Sequence, residues 1–404
     1  MITRQLANKL FDSFLIFRWT DRIRPVELVE IEKHAHKAVL TFFIASMEEE
    51  NGREIDWFFI VKGIVFSILR SIVLSDIKAD VLKRIKNQYP KQYNELNKWA
   101  VMQYEDLIYN RDFLNEFEDF LSIESPDSRI ELSILKVAHK YSTFREFEII
   151  KSSNESFPEI HEIERKLRDE ISALPSFTAI NQFTDKSELF YALCLIEQLR
   201  YQTRWSRTPR IPKTSVLGHS MYVALLIFFI SLDLNVCKKR LVNNFYAALF
   251  HDIPESVTRD IISPVKHATT EFPDVIKKVE SEICEEELYP KFPDYMKTRI
   301  KYLIGDMPEV DDEFSNRIIA NNKVIDIGDK PLTPEYNKDE YNPIDGKLIK
   351  VCDNIAAYME VVMSEEYGIT TKYLQKSASE IREIYEKEPL IQGVDVGKFF
   401  QQEL

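Results

Sequence analysis

Glycine is scarce in this chain, nine in 404 residues, and alternating apolar/polar stretches bounded by turn dipeptides are nearly absent. Both shortages argue against an architecture built mainly of strands. Four cysteines, Cys194, Cys237, Cys284 and Cys352, lie far apart and form no CxxC pair, which excludes a zinc ribbon or a disulfide framework as the organising element. No apolar run reaches the roughly 18 uninterrupted residues of a membrane span. The longest candidates lie near 56–69, broken by Lys62, and near 221–232. No charged-then-apolar leader with a small-residue cleavage site is visible, so a reducing cytoplasm and no membrane partner are the expectation. Basic blocks are missing too: 53 Lys and Arg stand against 66 Asp and Glu, a net charge of −13. Long nucleic acid, whose binding rests on neutralising many phosphates, is therefore an unsuitable partner. A small anion held by a few placed cations is compatible with this charge.

What the chain has in quantity is apolar residues repeating every three or four positions. In "KLIKVCDNIAAYMEVV", Leu348, Val351, Cys352, Ile355, Met359 and Val362 make one continuous stripe. Similar stripes run through 4–17, 36–46, 56–74, 129–148, 186–202, 220–232 and 241–251. This pattern predicts an all-α protein.

Compared with itself, the chain repeats four landmarks in one order. Arg18-Trp19 matches Arg204-Trp205. A histidine opening an apolar helix follows each pair, His34 in "KHAHKAVLTFFI" and His219 in "GHSMYVALLIFFI". "RSIVLSDIKADVLKRIK" (70–86) aligns without gaps on "FHDIPESVTRDIISPVK" (250–266), pairing Asp80 with Asp260 and Lys86 with Lys266. "LSILKVAHKYSTFREFE" (132–148) resembles "GKLIKVCDNIAAYMEVV" (346–362). Two tandem helical units are expected, residues 1–150 and 186–404, joined by a connecting segment, 151–185. In this alignment His251, Asp252 and Glu255 fall on Ser71, Ile72 and Ser75, and Asp353 falls on His139. The helical frame recurs while the polar constellation does not, so the first unit is expected to be degenerate and the polar residues of the second dispensable for folding.

That constellation is His219 at the start of one helix, His251-Asp252 at the end of the next, and Asp353 inside a later apolar helix. A helix-terminal His-Asp pair alone is ordinarily solvated capping. Asp353 is more telling, because a carboxylate buried without a partner costs several kcal/mol and calls for a cation. Two imidazoles and two carboxylates suit one divalent ion such as Mn, Co, Fe, Mg or Zn. An ion of this kind polarises a phosphoryl oxygen and lowers the pKa of water, which makes hydrolysis the natural reaction. Glu255, three residues beyond Asp252, can serve as general acid or base, or be a solvated carboxylate after Pro254. Lys266, after "ISPV", can reach a phosphate or lie on the surface. Arg204 offers a guanidinium fork for phosphate or caps its helix. Trp205 is either packing or part of the site, and its recurrence as Trp19 points to a corner both units need.

The order His219, His251-Asp252, Asp353 resembles the H...HD...D signature of the HD-domain metal-dependent phosphohydrolases. "TRWSRTPRIPKTSVLGHS", "LFHDIPESVTRDIISPVKH" and "LIKVCDNIAAYMEV" are similar to segments of its bacterial 5′-deoxyribonucleotidase branch, over about 186–270 and 346–365. The resemblance implies metal ligands at His219, His251, Asp252 and Asp353 and a catalytic carboxylate at Glu255. It further implies an Arg204-Trp205 pair that contacts phosphate and excludes a ribose 2′-hydroxyl, a sugar-holding Asp260, and a phosphate-side Lys266. The expected reaction is removal of phosphate from deoxyribonucleoside 5′-monophosphates. The alternatives are hydrolysis of nucleoside triphosphates or another small phosphate ester, or a nucleotide-sensing module. Gly218 departs from the family's usual glutamate, and an insertion near 285–345 is expected to act as a lid, an oligomer contact or a cover that changes the substrate. The first unit is expected to stiffen the second or to provide a homodimer surface.

Overall fold

The three- and four-residue apolar spacing folds as helix throughout. The computed structural model describes residues 2–75, 77–123, 129–175, 177–259, 261, 265, 269–332 and 334–401. Among them the architecture is all-α, with strands confined to two small hairpins. Contacts divide the chain into an N-terminal unit, Ile2–Thr41 with Arg53–Pro175, and a C-terminal unit, Phe42–Gly52 with Ser176–Leu404.

In the N-terminal unit, helix Trp57–Leu74 begins at Asp56, whose side chain accepts from the Phe59 amide as an N-cap. It is apolar almost all round and buries Ile60, Ile64, Ile68 and Leu69. Phe66 stacks on Phe117 of helix Arg111–Ser122 with ring centroids 5.1 Å apart. At Gly63 a Cβ would stand 2.5 Å from the Leu135 side chain, so glycine is what lets helix Ile130–Lys151 approach this closely. Helix Glu159–Ser172 lies within the stretch expected to be a connection. It packs Ile160 and Leu167 against Leu28, Phe144, Phe147 and Ile150.

In the C-terminal unit the central helix is Val216–Asp233, buried along nearly its whole length and packed against helices Lys238–Phe250 and Gly346–Glu366. Trp57–Leu74 and Val216–Asp233 are each 18 residues long and apolar enough to cross a bilayer. The window in Val216–Asp233 is 89% buried inside the protein and that in Trp57–Leu74 is 56% buried, as core helices are.

The stretch expected to be an insertion contributes regular elements to the C-terminal unit. Helix Asp294–Ile304 leads to antiparallel strands Asn316–Ala320 and Lys323–Gly328. Asn321 and Asn322 form their turn with φ of 53° and 58°, the left-handed pair a tight hairpin requires. The buried Arg317 guanidinium donates to the carbonyls of Tyr302, Leu303, Glu313 and Ser315, which closes the C-terminus of Asp294–Ile304.

Two segments, 16–30 and 202–216, share one backbone design. The amide of Arg18 donates to Leu28 O and that of Arg204 to Thr214 O, at 2.8 and 2.9 Å. Trp19 and Trp205 take φ of 55° and 56°. Each partner lies 186 residues after its counterpart. In that register His219 stands opposite Lys33 and not, as the histidine pairing suggested, opposite His34.

Candidate metal centre

Three helices of the C-terminal unit bring the constellation together. Ser215 caps Val216–Asp233 by accepting from the Gly218 amide at 3.1 Å, and His219 follows within the first turn, fully buried. His251 ends Lys238–Phe250 and Asp252 follows it. Asp353 lies two turns into Gly346–Glu366. A buried junction fixes the last two helices to each other. Arg240 makes a two-pronged ion pair to Asp345 at 2.7 and 2.6 Å, and Asn244 and Asp345 exchange two further hydrogen bonds. Fork-on-carboxylate geometry of this kind sets position as well as energy.

One ligand atom from each of His219, His251 and Asp353 lies within 4.8 Å of the others. His219 Nε2 stands 3.0 Å from Asp353 Oδ1. His251 Nδ1 donates to the Ala248 carbonyl at 2.7 Å, which leaves Nε2 with the lone pair, 3.3 Å from Asp252 Oδ2. Asp252 Oδ2 is buried and accepts no hydrogen bond. A lone pair facing an unsatisfied carboxylate oxygen is an unfavourable arrangement that a cation would relieve. These residues therefore fit a divalent ion, with His219, His251, Asp252 and Asp353 as the side chains that would hold it. Burial pushes the Asp353 carboxyl up, but Lys350 and the hydrogen bond from His219 outweigh it and hold the group well below the usual carboxylate range.

Glu255 opens the short helix Glu255–Thr258 and is buried. Its backbone carbonyl accepts from Gln202 at 2.9 Å, fixing the turn after the His-Asp pair. Arg204 is half-buried, with Nη1 4.0 Å from Asp252 Oδ2. Burial opposes its charge, yet Glu360, Asp252, Asp353 and Glu255 act on it in that order and raise its pKa. Arg204 and the carboxylates thus share one electrostatic neighbourhood. The expected substrate contacts Asp260 and Lys266 lie outside the described residues.

Glu360 is the residue the sequence reading missed. It is fully buried and accepts from Arg204 Nε at 3.3 Å, Trp205 Nε1 at 2.7 Å and Thr214 Oγ1 at 2.6 Å. His219 Nδ1 lies 3.7 Å from its Oε1, behind the ligand nitrogen. Burial opposes its charge, but Arg204, Arg210 and His219 keep the carboxylate ionised. At this distance the carboxylate acts on the imidazole by its charge and helps keep it basic. The available signal was its place seven residues, two turns, after Asp353 in an apolar helix. Two more neighbours were unforeseen. Lys350 Nζ pairs with Asp353 Oδ2 at 2.9 Å. Phe314, from the insertion, sets its ring 6.3 Å from that of His251.

No curated protein matches the chain. Residues 196–382 match the family model described as HD domain. That span contains all four candidate ligands, so the similarity to the HD domain, a family of generally metal-dependent hydrolases, falls on the part of the chain that carries the site.

Proposed function

We propose that the C-terminal unit is a phosphohydrolase that removes the 5′-phosphate of deoxyribonucleoside monophosphates. The observation that carries the reading is a guanidinium, Arg204, 4.0 Å from a carboxylate oxygen of the candidate metal set. A divalent ion, when bound, supplies Lewis acidity toward a phosphoryl oxygen and a lowered pKa for water. Arg204 then steadies the phosphate through the N–H groups that Glu360 leaves open. Glu255 moves the proton between attacking water and leaving alkoxide. Trp205, held by Glu360, presents its indole edge toward the sugar and discriminates against a 2′-hydroxyl. Lys266 and Asp260 complete the phosphate and sugar contacts in this reading.

The N-terminal unit, in the same proposal, is a degenerate copy that keeps the corner and lacks the ligands. The shared hydrogen bonds and φ values of 16–30 and 202–216 support it.

The test is phosphate release from a panel of deoxyribo- and ribonucleoside mono- and triphosphates with Mn, Co or Mg. Release restricted to deoxyribonucleoside monophosphates is the expected outcome. Release from triphosphates instead, or from none while metal binds, overturns the substrate assignment and leaves the metal centre standing.

A further inference from the structure

Asp353 has both carboxylate oxygens engaged. Oδ1 stands 3.0 Å from Nε2 of His219, a second candidate ligand, and Oδ2 accepts from Lys350 Nζ at 2.9 Å. Lys350 precedes Asp353 by three residues on helix Gly346–Glu366, so the two lie on one face and the ammonium stays within reach of the carboxylate. The same ammonium lies over the ring of Phe314, 4.6 Å from its centroid, where the face of the ring attracts a cation. It is thus seated between a ligand carboxylate and an aromatic face.

The loop that presents Phe314 is fixed from several sides. Arg317 Nη1 donates to the carbonyls of Glu313 and Ser315, one on either side of Phe314, at 3.0 and 2.9 Å. The Phe314 amide donates to Asp312 Oδ1 at 2.7 Å. Gly346 opens the helix that carries Lys350 and Asp353, and a Cβ there would overlap the carbonyl groups of Phe314 and Ser315. Glycine therefore lets the loop backbone lie directly on the first turn of that helix. With its ring also 6.3 Å from that of His251, Phe314 borders the surroundings of two candidate ligands.

An ammonium on a ligand carboxylate has two consequences for a cation that the carboxylate holds. It occupies one oxygen, which leaves the other for the ion, and it sets a like charge nearby, which weakens binding of the ion. Both leave the ion less neutralised by its ligands and so more strongly attracting to an oxygen of an incoming anion.

We infer that Lys350, seated by Phe314, is a positioning residue that restricts Asp353 to one oxygen toward the metal and lowers the affinity of the centre for its ion. The stretch expected to act as a lid, an oligomer contact or a cover is then part of the metal centre itself. This rests on the metal-centre reading and is independent of which phosphate ester is the substrate.

The test is titration of Co(II) into the metal-stripped full chain, followed by visible absorption, whose bands change with the number of ligands. Lys350→Met should bind Co(II) at least threefold more tightly than the native protein and with altered bands, because Oδ2 is released to the ion. Lys350→Arg should keep the native affinity and bands. Phe314→Leu, which retains apolar bulk without a ring, should move in the direction of Lys350→Met by a smaller factor. The Lys350 side chain is 45% exposed, so its loss should not prevent folding, and a melt of each metal-free variant checks this. A native chain that binds no Co(II) removes the metal centre and the inference with it. Native binding together with equal or weaker binding by Lys350→Met, or with unchanged bands in that variant, overturns the inference and leaves the metal centre standing.

Discussion

Two corners of this molecule look alike and surround different chemistry. At one, Arg204 and Trp205 converge on Glu360; at the other, Arg18 and Trp19 converge on Glu146, with Trp19 Nε1 3.1 Å from its Oε2. Glu360 lies seven residues after Asp353, and Glu146 seven after His139. Beyond the corner the two part company. The C-terminal unit has His219, His251, Asp252 and Asp353, where the aligned N-terminal positions are Lys33, Ser71, Ile72 and His139. A buried ion-paired corner is present with and without the ligand set, so it is part of the scaffold. Arg204 and Trp205 therefore hold the fold as well as face the site.

The comparison breaks most visibly at the ligands. Asp353→Ala should abolish metal binding and lower phosphate release by about three orders of magnitude or more. His139→Ala, its counterpart, should leave turnover within about twofold, as metal analysis and a phosphate assay would show. Equal losses in both variants would mean the N-terminal pocket takes part in the chemistry.

Glu255→Ala should keep the metal and lose about 10²- to 10⁴-fold in kcat, the range of a general acid or base. Its counterpart substitution, Ser75→Ala, should change nothing measurable. Metal loss in the Glu255 variant would make it a structural residue of the centre.

Glu360→Gln and Glu146→Gln should each destabilise by about 1–3 kcal/mol, because each removes the buried charge that a half-buried arginine and a tryptophan N–H donate to. Only the Glu360 variant should also lose metal affinity, since only Glu360 stands behind a ligand histidine. Thermal melts and metal titrations separate the two effects.

The smallest expected effect concerns Lys33→Met. In the folded protein the amine titrates at about 7, against 10.5 for an ordinary lysine. At or below pH 7 both states carry the charge, and the folded protein bears the full cost of burying it. Between 7 and 10.5 the unfolded chain holds more protons, so the stability of the native sequence rises with pH. The variant should melt higher at pH 7, and its advantage should shrink as pH approaches 10.5. An advantage independent of pH would mean that packing alone explains it.

Much of this was legible in the sequence. The all-α architecture follows from the apolar period, and His219, His251 and Asp353 converge as their helical positions required. Lys33 was not legible, because histidine was matched to histidine and only the backbone register separates neighbouring residues. Glu360 was hidden because one carboxylate in an apolar helix carries no sign of three donors, Arg204, Trp205 and Thr214, arriving from another segment. The hairpin at 316–328 escaped because its strands are short and its turn is Asn-Asn without glycine. Phe314 reaches His251 through the fold of the insertion, which no local pattern encodes.

The most direct test of the central claim is phosphate release from a deoxyribonucleoside monophosphate by metal-stripped protein to which Mn, Co or Mg is returned, comparing the native chain with Asp252→Ala. Activity should appear with metal in the native protein and never in the variant. Metal-independent release, or equal release by Asp252→Ala, would contradict it.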